Sequence, residues 1–217
     1  WIDALRGADA VVNLCGASIA GPRWTAARKR VLRDSRVDPA TALVRACASL
    51  DHPPARLLQA SGVGYVGTGD SPCDETRPRG AATLAELAGA WEAAVADCPI
   101  PCAVLRFGVV LGHGGALPRM LLPFRLFAGG PIGDGCQWLS WIHVDDAVTA
   151  VRFVIEGQLT GVVNVTAPTP VRNRAFAASA GAVLRRPAWL PTPAWLLQLA
   201  LGEQAELVCA GQQVLPV

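Results

Sequence analysis

A serine and the only tyrosine of the chain lie four residues apart in the segment QASGVGYVG, residues 59–67. The hydroxyl of Ser61 can donate or accept a hydrogen bond, as polarising a carbonyl or an alcohol requires. Tyr65 would then line the pocket that receives the substrate. By residue type, Ser61 and Tyr65 are therefore candidate catalytic residues; the alternative for Ser61 is an ordinary turn residue.

A residue that transfers protons is harder to assign. A lysine one helical turn from a tyrosine lowers the pKa of the phenol, so that the phenolate can take and return a proton. The sequence holds a single lysine, Lys29, too far along the chain from Tyr65 to form a Tyr-x-x-x-Lys pair. Tyr65, Asp134 and His143 are the residues that could transfer the proton in place of such a pair.

The composition limits the class of protein. The chain has 217 residues, 52% hydrophobic and 17% charged, which suits one large core with a small appended domain. A net charge of +2 with scattered basic residues argues against nucleic-acid binding. Seven cysteines without zinc or disulfide spacing predict reduced, mostly buried thiols. Apolar runs such as Ala194–Leu201 are too short for a bilayer, and the start at Trp1 without a signal-peptide layout predicts a soluble, cytoplasmic fragment.

Strand-like and helix-like segments alternate along the first three quarters of the chain. Apolar runs predict strands over 9–14, 56–60, 102–107, 138–143 and 161–165. Helical periodicity predicts helices over 23–50, 83–96 and 145–156, the first of them interrupted near Pro39. An acidic pair, Asp145 and Asp146, is expected to cap the last helix. This alternation predicts a largely parallel sheet, with helices on both faces and ligands at the carboxyl ends of the strands.

Two stretches, LRFGVVLG at 105–112 and PFRLFAGGPIGDGCQWLSWIHVDD at 123–146, carry a family resemblance. They resemble the extended short-chain dehydrogenase/reductases, the superfamily of nucleotide-sugar epimerases and dehydratases, and in particular an atypical epimerase-like branch. The likeness runs from DAVVNLCG at 9–16 to GQQVLP at 211–216. It implies an α/β, Rossmann-like, mostly parallel sheet over 1–165 and a small C-terminal helical cap over 166–217.

The resemblance also implies what precedes and surrounds the first strand. DAVVNLCG looks like the fourth strand of the family sheet, so the first three strands and the phosphate loop would lie upstream of Trp1. The strand over 9–14 would then present an open edge. The two glycine clusters within the chain, at 62–69 and 129–135, are better explained by turns than by phosphate binding.

Cofactor-binding residues follow from the same resemblance, which implies NADP, with NAD as the alternative. Arg23 would reach the adenosine phosphate, where a guanidinium favours NADP, although an exposed helix-start arginine is an equal alternative. We expect Ser61, Gly16, Gly108 and Arg23 to converge on one cleft, and the loop over 123–137 to wrap a small-molecule substrate. The full set of predicted cofactor contacts is Leu14, Cys15, Gly16, Arg23, Ala60, Gly108 and Val109.

The resemblance implies that Ser61 hydrogen-bonds the reacting oxygen and that Tyr65 lines the substrate pocket, but the family's catalytic dyad is missing from its expected place. With Trp91-Glu92 as the register mark, the tyrosine and lysine would fall at Leu84 and Ala88, which cannot transfer a proton. The resemblance thus implies an NAD(P)-dependent oxidoreductase or nucleotide-sugar epimerase-like protein acting on a small carbonyl, alcohol or sugar. A non-catalytic dinucleotide-binding sensor or scaffold is the alternative, and a structural or interaction protein is a third.

Two further features are better explained by structure than by chemistry. His143-x-Asp145-Asp146 resembles a metal site, but a strand-end histidine and a capped helix are favoured. Trp138 and Trp141 could stack on a ring, although aromatic core packing is favoured for both.

Overall fold

A four-stranded parallel sheet forms the centre of the computed structural model, which describes residues 1–216. The order of the strands in this sheet is β1-β2-β4-β8, and β1 pairs within the described chain with β2 alone, at an edge. The predicted α/β fold with a mostly parallel sheet is confirmed. The strands are β1 (Val11–Asn13), β2 (Leu57–Gly62), β3 (Pro72–Cys73), β4 (Cys102–Phe107), β5 (Val109–Leu111), β6 (Trp138–Leu139), β7 (Trp141–His143), β8 (Gly161–Val165), β9 (Val171–Arg172) and β10 (Gln213–Val214).

Helices cover both faces of this sheet because its central strands are apolar on both sides. Leu57 and Leu58, adjacent in β2, are both fully buried, and they point into different cores. One core contains side chains of α1 and α2, and the other contains side chains of α4. The helices are α1 (Ala26–Ser49), α2 (Thr83–Ala93), α3 (Ala116–Arg125), α4 (Val144–Glu156), α5 (Asn173–Leu184), α6 (Ala194–Leu201) and α7 (Glu206–Cys209).

Helix α1 runs without interruption through Pro39, so the predicted break near this residue is wrong. Proline disfavours the helix locally, since it lacks an N–H and its ring crowds the preceding turn. Burial of the helix overrides that preference, because Leu32, before Pro39, and Ala40, after it, are both packed into the protein. Tertiary contacts thus hold the helix together at an unfavourable residue.

Replacing Pro39 by Ala is therefore expected to raise the free energy of unfolding by about 1–3 kcal/mol, because a proline in a helix interior costs up to about 3 kcal/mol relative to alanine. Urea unfolding measures the change. Pro22→Ala, in the exposed segment before α1, is the control, and it should lower stability by about 0.4–1 kcal/mol through the unfolded state. A Pro39→Ala protein less stable than the wild type would contradict this account.

Two other segments differ from expectation. The loop predicted over 123–137 begins inside α3, where Phe124 packs against Ala177 and Ala180 of α5. The strand predicted over 138–143 is divided into β6 and β7 at Ser140, because the two halves pair with different strands, β6 with β9 and β7 with β5.

The cysteines are free, as predicted, but less buried than expected. Cys47 and Cys73 are buried, four others are partly exposed, and Cys15 is exposed. The prediction of mostly buried thiols is therefore wrong. No helix within residues 1–216 combines the length and apolar character needed to cross a membrane.

The end of the chain is built into the sheet domain. β10 pairs with β3 in parallel, and the Ser140 hydroxyl donates to Gln212 O at 2.7 Å and accepts from Val214 N at 2.9 Å. Gln212 Nε2 donates to Val63 O at 2.5 Å. These bonds place the GQQVLP segment against the turn that follows β2, where the candidate site lies.

Candidate functional site

A cavity of about 410 Å³ lies beyond the carboxyl ends of β2 and β4. This is the edge of a parallel sheet at which ligands bind in α/β proteins. Four parts of the chain supply much of the cavity wall. They are the end of β2 and its turn (Ser61, Gly62, Val63, Gly64), the end of β4 (Gly108, Val109), helix α2 (Leu84, Leu87, Ala88, Trp91) and the C-terminal segment (Glu206, Leu207, Gln212).

Ser61 belongs to a buried network of charged groups. Its Oγ donates to Glu92 Oε1 at 2.6 Å, and Arg106 donates to both carboxylate oxygens of Glu92 at 2.9 Å. The Arg106 side chain is 3% exposed and that of Glu92 12%. Because the Ser61 proton is engaged with Glu92, the oxygen faces a ligand as an acceptor. Ser61 is therefore arranged to receive a hydrogen bond from an alcohol, a narrower role than the sequence indicated.

Tyr65 is held by the same network on a different side. Its ring lies 3.6 Å from the Arg106 guanidinium, in a cation–π contact, and it packs against Val66, Cys73 and Val214. Tyr65 is absent from the cavity wall. The structure thus brings Ser61 to the cavity and directs Tyr65 away from it, and the catalytic role of both residues stays a prediction.

The predicted cofactor contacts divide into three groups. Gly108 and Val109 line the cavity, and Gly108 has no room for a side chain, since a Cβ would lie 2.8 Å from Ser140 O. Ala60 is buried in the core beneath. The remaining contacts on the first strand, Leu14, Cys15 and Gly16, are exposed at the carboxyl end of β1.

Arg23 is exposed and lies against Gly202, directly after α6 and outside the cavity wall. Gly16 reaches the cavity only indirectly, because it packs against Arg36, which lines the cavity. Of the four residues expected to converge, Ser61 and Gly108 share the cavity, Gly16 adjoins it and Arg23 stands apart.

The proposed substitutes for the dyad lie elsewhere. Asp134 Oδ1 accepts a bond from Cys136 N at 2.9 Å in a separate groove. His143 Nδ1 accepts from Asp145 N at 3.3 Å and so caps α4, with the two aspartates in the first turn. The prediction that the acidic pair caps this helix is therefore wrong, because the cap is His143. His143 does end strand β7, as expected, but its capping role was not predicted. No cluster of three metal-binding side chains occurs among the described residues.

The two tryptophans differ from the favoured expectation of core packing. Trp138 stacks on the Arg172 guanidinium at 3.9 Å, donates to Asp70 at 3.1 Å, and lines the cavity. Trp141 is partly buried and donates to Thr169 O at 3.2 Å. Neither belongs to a core cluster of the described chain.

Two charged residues in the cavity wall were missed from the sequence. Arg36 lies on the same helix face as buried Leu32 and Ala40, so an arginine within an apolar i, i+4, i+8 stripe was an available signal. Burial lowers the pKa of Arg36, and the charge of Arg28 adds to this effect. Glu206 offered no such signal, because only the tertiary fold brings the C-terminal segment to the cavity.

Glu206 is the one carboxyl group in the cavity wall. Burial raises its pKa, and the nearby charge of Glu203 acts in the same direction, while backbone N–H groups of Thr83 and Leu84 and the charge of Lys29 oppose the shift. Leu84 and Ala88, the positions that the register assigns to the missing dyad, lie in the same wall. Glu206 is thus a protonatable group beside the apolar residues that α2 contributes to the cavity wall.

Comparison with known proteins agrees with this architecture. The model of the NAD dependent epimerase/dehydratase family matches residues 1–166, and that of a domain of unknown function (DUF1731) matches residues 192–217. The chain is 42% identical to the epimerase family protein SDR39U1 homolog, chloroplastic, of Arabidopsis thaliana, covering 100% of this chain and 64% of that protein. It is 41% identical to the epimerase family protein YfhF of Bacillus subtilis, covering 96% and 70%.

A solved structure is similar over nearly the whole chain. It is the crystal structure of human epimerase family protein SDR39U1 (isoform 2) with NADPH, with a TM-score of 0.93 and 35% identity, covering 99% of this chain and 78% of that one. The chain therefore spans between about two thirds and four fifths of the proteins that it resembles. By sequence and by structure, it belongs to the NAD dependent epimerase/dehydratase family.

Proposed function

We propose that this chain forms the nicotinamide and substrate end of an NADPH-dependent oxidoreductase or epimerase-like protein, which acts on a small carbonyl, alcohol or sugar. The observation that carries the proposal is the cavity that joins Ser61, Gly108 and Val109 at the carboxyl ends of β2 and β4. The similarity to a human protein crystallised with NADPH supports the choice of cofactor.

The residues present fit the nicotinamide end of such a cofactor. A volume of about 410 Å³ lies within the range of small-ligand sites. Val63, Leu84 and Val109 supply an apolar wall for a flat ring, and Gly62 has free space where a side chain would begin. When bound, NADPH supplies a hydride to the carbonyl carbon.

Reduction of a carbonyl also requires a proton on its oxygen, which this chain must deliver. Glu206 is suited to this role because burial keeps its carboxyl protonated to a higher pH than usual. Ser61, whose oxygen faces the ligand as an acceptor, would orient the hydroxyl of the resulting alcohol. In the reverse direction Glu206 would take the proton from the alcohol.

A non-catalytic dinucleotide-binding protein is the second candidate. It is supported by the apolar side chains of Leu84 and Ala88 in the cavity wall, which cannot perform the acid–base work of a tyrosine and a lysine. The two candidates share the cofactor and differ in whether hydride leaves it.

NADPH binding and turnover on a panel of carbonyl compounds separate these candidates. The protein is prepared at the full length of its relatives, and binding is followed by NADPH fluorescence. We expect binding with slow turnover, and a further loss of about 10²-fold or more in Glu206→Gln, the scale of general acid–base catalysis. The rate should fall as pH rises through the raised pKa of Glu206 in the wild type, because the protonated form is the donor.

Glu86→Gln is the matched control, since Glu86 is exposed on α2 and lies outside the cavity wall. Turnover that survives in Glu206→Gln but disappears in Ser61→Ala would show that Glu206 is not the proton donor. Tight binding without any turnover would favour the sensor, and an absence of NADPH binding would reject both candidates.

A further inference from the structure

Arg36 is a buried cation in the wall of the cavity. Its residue is 8% exposed, and its Nη1 donates to Leu32 O at 2.9 Å. The guanidinium carbon lies 5.0 Å from the centre of the Trp91 ring. On another side it packs against Gly16, where an added Cβ would lie 3.0 Å from that carbon. The side chain is therefore fixed in one place by helix α1, helix α2 and the end of β1.

The charge of Arg36 has no counterion among residues 1–216. Among residues 1–216, no carboxylate lies within 4.0 Å of its guanidinium, and the charged group that acts on it most is Arg28, which has the same sign. Buried charges in proteins are normally paired, because removing an ion from water is costly. Arginine keeps its proton under these conditions. An unpaired arginine at a cavity wall thus calls for an anion from outside.

A second unsatisfied donor lies beside it. The indole N–H of Trp91 is buried and has no acceptor in the described part of the chain, and Trp91 lines the same cavity. Buried donors without acceptors are uncommon and destabilising. A buried cation and a buried N–H donor without an acceptor thus lie on neighbouring helices, in the wall of one cavity.

We propose that Arg36 and Trp91 bind the anionic group, a carboxylate or a phosphate, of a substrate whose remaining part is apolar. This inference rests on the proposed function, because it names the substrate class of the same cavity. The apolar part would lie along Val63, Leu84 and Leu87. Leu84 and Trp91 are seven residues apart on α2, which separates the ends of this wall by about 10 Å at 1.5 Å per residue.

Glu206 lies at the Leu84 end of this wall, since the Leu84 backbone N–H acts on its carboxyl. The cavity is therefore cationic at one end and carries a protonatable carboxyl at the other. A substrate held by its anion at Arg36 would direct its opposite end toward Glu206. The charge pattern selects the orientation as well as the class of ligand.

The test uses two probes of nearly the same shape, one anionic and one neutral. They are 4-carboxybenzaldehyde and its neutral amide, 4-formylbenzamide, with inorganic phosphate as a third ligand, and binding is measured by calorimetry on the full-length protein. Arg36→Met is expected to weaken binding of the carboxylate probe by about tenfold or more, which is the scale of a charge-assisted hydrogen bond. Binding of the amide should stay nearly unchanged. Arg33→Met, an exposed arginine on the same helix, is the control.

Melting without ligand gives a readout that is independent of activity. Arg36→Met should melt at a higher temperature than the wild type, because the variant no longer buries an unpaired charge. A lower melting temperature together with equal loss of both aldehyde probes would show a structural arginine and overturn the proposal. So would a wild-type protein that binds neither the carboxylate probe nor phosphate.

NADPH distinguishes the two sources of an anion. If Arg36→Met weakens NADPH binding while the carboxylate probe still binds, Arg36 serves a phosphate of the cofactor, and the substrate assignment is overturned. If the wild type binds the carboxylate probe through Arg36 but fails to bind NADPH, the anion site stands and the proposed function fails.

Discussion

Replacing Arg106 by Met is expected to lower the free energy of unfolding by about 3–5 kcal/mol, the usual cost of removing one partner of a buried ion pair. The substitution leaves the Glu92 carboxylate, 12% exposed, without its two bonds of 2.9 Å from the guanidinium. Tyr65 loses the cation against its ring, and Glu75 O loses the bond from Arg106 Nη1 at 3.2 Å. Urea unfolding measures the loss.

A matched control comes from the protein surface. Arg152 and Glu156 form an exposed i, i+4 pair at 3.2 Å, with side chains 72% and 67% exposed. Arg152→Met should change stability by no more than about 0.5 kcal/mol. The paired replacement of Glu92 by Leu and Arg106 by Met should recover much of the loss, since no charge then stays buried alone. An Arg106→Met protein within 1 kcal/mol of the wild type, on the order of a surface pair, would contradict the role given to this network.

The second large effect is expected from Gly211→Ala, because the new methyl group would collide with the Trp138 carbonyl oxygen. That oxygen belongs to the main chain of β6 and cannot turn aside. The Gly69 N–H bond to Gly211 O, at 3.1 Å, fixes the segment from its other side. Overpacking of this kind costs about 1–3 kcal/mol, and more where backbone must move. The C-terminal segment should detach from the cavity and become accessible to proteases.

Gly114→Ala is the control for this variant, since no atom lies within 4 Å of the position that its Cβ would take. Limited proteolysis, compared at equal protein concentration, gives the readout. Equal resistance of Gly211→Ala and wild type would show that the GQQVLP segment accommodates the methyl group, and would contradict the predicted detachment.

The sheet could be predicted from sequence because its signals are local. The runs at 102–107 and 161–165 are apolar, short and bounded by turns, and they match β4 and β8. Helix α1 was harder, since Pro39 is a local stop signal that tertiary packing overrides. Helix α3 was missed because glycines and prolines nearby suggested a loop, whereas Phe124 finds its partners fifty residues later in α5.

The site was predictable where chain topology alone decides the position. Ser61 lies near the end of β2, and Gly108 directly follows the adjacent parallel strand β4. Since the register pairs Ser61 with Arg106, the approach of Ser61 and Gly108 follows from the strand order. The orientation of the Tyr65 ring depends on a contact with Arg106, forty-one residues further along the chain. The periodicity of the sequence does not predict this contact. Glu206 comes to the cavity through C-terminal contacts such as the Gln204 bond to Ile19 O, which are equally invisible in sequence.

NADPH binding to a blocked cavity tests the central claim most directly, namely that the nicotinamide end of the cofactor enters between α2 and the ends of β2 and β4. Ala88→Trp places a large side chain in the cavity, and Ala93→Trp adds the same side chain at an exposed position on the same helix. With both variants shown to be folded by circular dichroism, fluorescence titration should give an NADPH dissociation constant raised about tenfold or more in Ala88→Trp, a loss of at least about 1.4 kcal/mol, and unchanged in Ala93→Trp. A folded Ala88→Trp protein that binds NADPH as tightly as the wild type would contradict the account.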